Sequence, residues 1–90
     1  MLEGSIKVIN PLGLHARAAA QLVKLANRFS SRILVKRTDN TAFAEASSIL
    51  SILTLAASDG TVLHLTVEGD DEDDAFEAVS DIFRKGFGEI

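Results

Sequence analysis

The apolar residues of this chain switch repeatedly between two spacings, and that alternation limits what it can fold into more than any other property. At residues 5–10, Ile6 and Val8 alternate with polar neighbours, the period of a half-buried strand. From Ala16 to Phe29 the period lengthens. Ala19, Leu22, Val23, Ala26 and Phe29 fall at i, i+3, i+4 spacing and share one helical face. Residues 31–37 return to period two, with Ile33 and Val35 on one side. Asp39-Asn40 supplies turn chemistry, and residues 41–46 can return as an antiparallel partner. The run from Ser47 to Leu55 is apolar on most sides; its leading serines offer an N-cap and favour a short helix. After the Asp59-Gly60 turn, Leu63, Leu65 and Val67 alternate with Val62, His64, Thr66 and Glu68. A final helix carries the stripe Ala75, Phe76, Val79, Ile82 and Phe83. Asp70 or Asp71 is its expected cap, Glu72, Asp73 and Asp74 fill its first turn, and Gly86 follows Arg84 and Lys85 as its C′ residue.

The order βαββαβα predicts an α+β fold: an open-faced β-sandwich, in which three helices, each apolar on one side, cover one face of a four-stranded antiparallel sheet. A ferredoxin-like βαββαβ core with an added helix has the same periodicity and remains the alternative. Ninety residues allow one small core, so residues 1–90 are expected to form a single domain. With five Phe and no Trp or Tyr, that core must be mainly aliphatic.

The chain has no cysteine, which removes disulfides, thiolate metal sites and thiol nucleophiles together. Its two histidines, His15 and His64, show no metal-ligand spacing, and neither a metal nor another cofactor is expected. No apolar run approaches the ~18 residues of a membrane span, and Met1-Leu2-Glu3-Gly4-Ser5 lacks signal-peptide features. A cytoplasmic monomer, not inserted in a membrane, is the expectation.

Charge is divided unevenly along the chain. Residues 1–37 carry seven Lys/Arg against one acid, a balance of +6. Residues 38–90 carry two against twelve, a balance of −10. A nucleic-acid face would need aromatic stacking platforms, and the basic half has Phe29 alone. An acidic protein partner suits it better. Arg17, Lys24 and Arg28 lie within roughly 40° of one another on a helical projection, so they form a basic stripe that starts beside His15.

The sharpest local feature is Gly13-Leu14-His15-Ala16-Arg17, where a loop becomes a helix. A helix start has unpaired N–H groups and the positive end of the dipole, so an anion is favoured there. A histidine at that point has a nucleophilic ring nitrogen, and a phosphoryl group placed on it would sit beside those N–H groups and Arg17. By itself this pattern also fits an ordinary surface or capping histidine.

Gly13-Leu14-His15-Ala16-Arg17, followed by Ala18-Ala19, resembles the active-site signature of the phosphocarrier protein HPr family of the phosphotransferase system. The similarity extends to the element order, the Ser-Ile-Leu segment opening the middle helix, and the Glu-Gly-Asp turn before the acidic last helix. The resemblance implies that His15 takes phosphate from enzyme I, itself charged by phosphoenolpyruvate, and passes it to an enzyme IIA. It also implies that Arg17 assists at the active site. Ser48 matches the position that an HPr kinase/phosphorylase modifies in some members, although a plain N-cap explains Ser47 or Ser48 more simply, since it needs no kinase. Ile49, Leu50 and Leu53 match the family's exposed docking patch, which Lys24 and Arg28 would flank, while each could instead belong to the core. Ala18 departs from the family, which has proline there; alanine keeps the helix but leaves its start less rigid. The Gly86-Phe87-Gly88 tail and the middle helix resemble the nitrogen-branch carriers slightly more than the sugar-branch ones. His64 reads as a mid-strand residue without a catalytic role, and the Asp70–Asp74 run as a solvated capping segment without calcium-loop spacing. Two rival readings remain: a regulatory binding module controlled through Ser48, and a small nucleic-acid-binding domain using the basic half.

Overall fold

The computed structural model describes residues 1–90. Its elements are β1 (Leu2–Lys7), α1 (Ala16–Ala26), β2 (Arg32–Arg37), β3 (Phe43–Glu45), α2 (Ile49–Thr54), β4 (Val62–Glu68) and α3 (Glu72–Arg84). Each element predicted from periodicity is present. The boundaries move by a few residues, because side-chain spacing says which face is buried and not where hydrogen bonding stops. Thus β1 begins at Leu2, before the apolar alternation, since it is held by backbone pairing to β4 from Leu2↔Val67 to Lys7↔Val62. Helix α1 ends at Ala26 with Asn27 as its C-cap, and Phe29 packs on the core from beyond it.

The four strands form one antiparallel sheet in the order β1-β4-β2-β3. A ferredoxin-like sheet would place the first strand inside; here β1 is an edge strand paired with β4 alone, which excludes that alternative. Strict alternation puts Leu63, Leu65 and Val67 of β4, Ile33 and Val35 of β2, and Ile6 of β1 on one face, where all are buried. The helices supply Ala18, Ala19 and Leu22 from α1, Ile52 from α2, and Ala75, Val79 and Phe83 from α3 to the same core of 21 residues. The opposite face, with Glu3, Lys36, Phe43 and His64, is open to solvent or half-open. There His64 Nε2 lies 2.8 Å from Glu3 Oε1, a cross-strand pair far from the loop that carries His15.

Helix ends are tied down by partners that are distant in sequence. Arg37 donates to the last carbonyls of α2, Leu55 O at 2.9 Å and Ala56 O at 3.1 Å, which completes a helix end that has no cation of its own. Asp71 stands at the N-cap position of α3 but makes no side-chain cap. The expectation of a capping aspartate is corrected here: its carboxylate turns away to accept the N–H groups of Ser30 and Ser31, both at 2.9 Å, and the Ser31 hydroxyl. The Ser31 hydroxyl, then the Ser30 N–H, hold the Asp71 carboxyl below the ordinary carboxylate range. Gly86, at φ +59°, is the C′ residue of α3 as expected, and a Cβ there would meet the Ile90 side chain at 2.7 Å.

Candidate functional site

The loop before α1 is closed by its own backbone. Gly13 N–H donates to Asn10 O at 3.0 Å, and the Asn10 amide donates to Gly13 O at 2.7 Å. Gly13 has φ +67°, and a Cβ on it would come within 2.6 Å of Ala57 O, so this turn requires glycine. Leu14 N–H then bonds to Ala57 O at 2.8 Å and its side chain is buried. Leu14 and Ala19 occupy the N′ and N4 positions of a hydrophobic staple, which fixes the direction in which the chain enters the helix.

His15 is left as the N-cap of α1. Its Nδ1 accepts the Arg17 N–H at 3.3 Å, a role more often taken by Ser, Thr, Asp or Asn. A ring nitrogen that accepts a hydrogen bond carries no hydrogen, so Nε2 bears it and the Nδ1 lone pair is directed at the helix start. Nε2 lies 2.6 Å from Glu89 Oε2, and the other oxygen of Glu89 takes a 3.3 Å hydrogen bond from the Asn10 amide. The His15 hydrogen bond, followed by the Asn10 amide and the charges of His15 and Arg17, holds the Glu89 carboxyl below its ordinary range. The first turn of α1 contains no acidic residue. The Arg17 side chain is exposed. The site therefore combines an unprotonated ring nitrogen, helix-start N–H groups, the dipole's positive end and a free-standing guanidinium, all suited to a phosphoryl group.

His15 is part-exposed and lines none of the molecule's surface cavities. Small-molecule substrates are normally taken up in a concavity; a side chain on an open rim is placed to meet the surface of another macromolecule.

Lys24 and Arg28 are exposed on α1. Ser48 is the N-cap of α2, its hydroxyl accepting the Ser51 N–H at 3.3 Å. Ile49 and Leu50 are 40% and 73% exposed, whereas Leu53 packs partly against the core. Helices α1 and α2 lie against one another, so the basic stripe and the exposed apolar residues sit on neighbouring helices. Three residues near His15 escaped sequence reasoning: Asn10, Glu89 and Leu12, which is 65% exposed in the site loop. Glu89 is 74 positions from His15 and no periodicity links them. Asn10 is fully buried, although its place beside a proline reads as an ordinary turn.

Fold and site together define a small open-faced α+β domain that presents one histidine at an anion-accepting helix start. Residues 2–85 match the PTS-HPr family, described as the PTS HPr component phosphorylation site. The chain is 40% identical over 89 residues to the phosphocarrier protein HPr of Neisseria meningitidis, covering 99% of this chain and 98% of that one. It is 42% identical over 84 residues to the HPr of Pseudomonas aeruginosa, covering 93% and 92%. The crystal structure of HPr-C-His from Thermoanaerobacter tengcongensis superposes with a TM-score of 0.92 at 42% identity, over 100% of this chain and 99% of that one. The HPr of Bacillus anthracis superposes with a TM-score of 0.83 at 33% identity, over 91% and 95%. The chain belongs to the HPr family of phosphotransferase-system phosphocarriers, and its partners are enzymes of that system. No helix is long and apolar enough to cross a membrane.

Proposed function

We propose that this protein, a cytoplasmic monomer in our reading, carries a phosphoryl group on His15 Nδ1. It accepts the group from enzyme I and passes it to an enzyme IIA, in sugar uptake or nitrogen-branch regulation. The observation that supports this most is the capping geometry: Nδ1 holds its lone pair at the start of a helix whose first turn has no acid. Arg17 neutralises the charge that arrives with the phosphoryl group. Ile49, Leu50 and the exposed part of Leu53 supply apolar contact with partners, and Lys24 and Arg28 steer acidic surfaces toward it. Fast, weak association of this kind suits a carrier that must leave each partner quickly. Ser48 is a second site in this reading, modified by an HPr kinase/phosphorylase; its hydroxyl would have to leave the Ser51 N–H to react.

Intact-protein mass after incubation with phosphoenolpyruvate and enzyme I tests the carrier role. The expected result is one acid-labile phosphoryl group on the wild type and none on His15→Ala. No mass change, with an enzyme I shown to charge a known carrier, would favour a regulatory module instead. The same measurement with HPr kinase and ATP, using Ser48→Ala as control, decides the second site.

A further inference from the structure

The end of the chain folds back onto the reactive histidine, and it does so through a stretch with unusual backbone geometry. Gly86, Phe87 and Gly88 all have positive φ, at 59°, 55° and 77°. For phenylalanine that conformation is unfavourable and persists only where the surroundings enforce it. Here the buried Phe87 ring meets Phe83 edge-on, with centroids 4.9 Å apart and planes at 74°. The turn delivers Glu89 to His15 Nε2.

Asn10 supplies an independent sign that the contact is built. Its side chain is fully buried, and its amide nitrogen is shared between Gly13 O and Glu89 Oε1 while its own Oδ1 has no partner. A buried acceptor without a partner is costly and uncommon. Turning the amide over would satisfy nothing, since it would set Oδ1 against the Gly13 carbonyl and the Glu89 carboxylate. The short bond to Gly13 O sets the amide's orientation, and in that orientation the same nitrogen reaches Glu89.

We propose that Glu89 is the positioning residue for His15, an inference that rests on the carrier reading above. By accepting from Nε2–H it fixes the orientation of the ring, together with the Arg17 N–H that Nδ1 accepts, and it balances the charge that the ring acquires on phosphorylation. In the transfer step Nδ1 gives up the Arg17 N–H and its lone pair forms the N–P bond as the bond from phosphorus to the donor breaks, its electron pair leaving with the donor. No proton leaves the ring. Nε2 keeps its hydrogen, the imidazole becomes cationic, and the ionised carboxylate, at 2.6 Å, faces that charge. When the group passes on, the N–P electron pair returns to Nδ1 and the ring is neutral again.

Glu89→Gln and Glu89→Ala separate the two parts of this role. Glutamine can still accept from Nε2–H but has no charge, and alanine can do neither. Nitrogen NMR of the His15 ring should show an Nε2–H held in a hydrogen bond and slow to exchange with water in the wild type and in Glu89→Gln, and one that exchanges faster in Glu89→Ala. Charging by enzyme I should slow about tenfold or more in Glu89→Ala and less in Glu89→Gln, the scale of a hydrogen bond to a charged group. Glu77→Gln, an exposed acid on α3, is the control and should match the wild type. An unchanged Nε2–H exchange rate in Glu89→Ala, with charging within about twofold of wild type, would overturn the proposal. A wild type that accepts no phosphoryl group overturns the carrier reading, and the charge-balancing role falls with it whatever the exchange rate.

Discussion

Helices α1 and α3 both begin with unpaired N–H groups and a positive dipole end, yet the chain treats the two starts in opposite ways. At α3 it provides its own anions: Glu72, Asp73 and Asp74 occupy the first turn. Glu72 accepts the Gly69 N–H at 3.2 Å and meets the Met1 amino group at 3.0 Å, and these two contacts hold its carboxyl below the ordinary range. At α1 there is no acid in the first turn, only the His15 ring. One start is neutralised from within, and the other is left to attract an anion from outside. Acidic residues stabilise a helix start by about 0.3–1 kcal/mol each. The α1 start forgoes that gain, as expected of a site kept available for a phosphoryl group.

Making α1 resemble α3 should give the largest effect. Ala16 is exposed at the first position of α1, so Ala16→Asp adds an acid without disturbing the core. Stopped-flow charging by enzyme I should slow by about tenfold or more, because the aspartate competes for the same N–H groups and repels the incoming phosphate, while thermal stability holds or rises slightly. A full charging rate in this variant would mean that the empty first turn is incidental.

A smaller effect, on stability instead of transfer, is expected where α3 begins. Asp71→Asn weakens three hydrogen bonds that tie this point to Ser30 and Ser31, and Tm at neutral pH should fall by several degrees with charging unaffected. The pH dependence follows from the direction of the shift. The folded-state carboxyl lies below its ordinary value of 3.8, so the unfolded chain binds the proton first as pH falls. The contribution is fully present above about pH 5 and is lost as pH drops through the folded value. The Tm gap between wild type and Asp71→Asn should therefore narrow on acidification; a constant gap would mean that Asp71 acts by packing alone.

The smallest effect concerns helix rigidity. Ala18 lies in the first turn of α1 and is fully buried among core residues, a position that helical spacing did not assign to the core face. Ala18→Pro should alter stability by less than about 1 kcal/mol in denaturant unfolding, with preset φ offset by the tighter fit of the ring. A large loss would show that this helix start has closed around alanine.

Much of the fold was legible because burial imposes a period on side chains. Leu63, Leu65 and Val67, and Ala75, Val79 and Phe83, declare their elements without reference to anything else in the chain. The place of His15 and Arg17 at a helix start was legible because the signals for such a start are local. The faces of α2 were legible in part: it is a short helix with apolar residues all round, and the division into exposed Ile49 and Leu50 and half-buried Leu53 depends on which side meets the core.

Local sequence thus determined the order of elements, the buried faces and the place of His15 at a helix start, since each follows from spacing within a few residues. Tertiary structure alone decided that β1 takes the sheet edge, that Asp71 holds Ser31 instead of capping its own helix, and that Glu89 holds the His15 ring. Such contacts form wherever two distant segments are brought within about 3 Å and their polar groups must find partners. That requirement leaves no periodic trace along the chain.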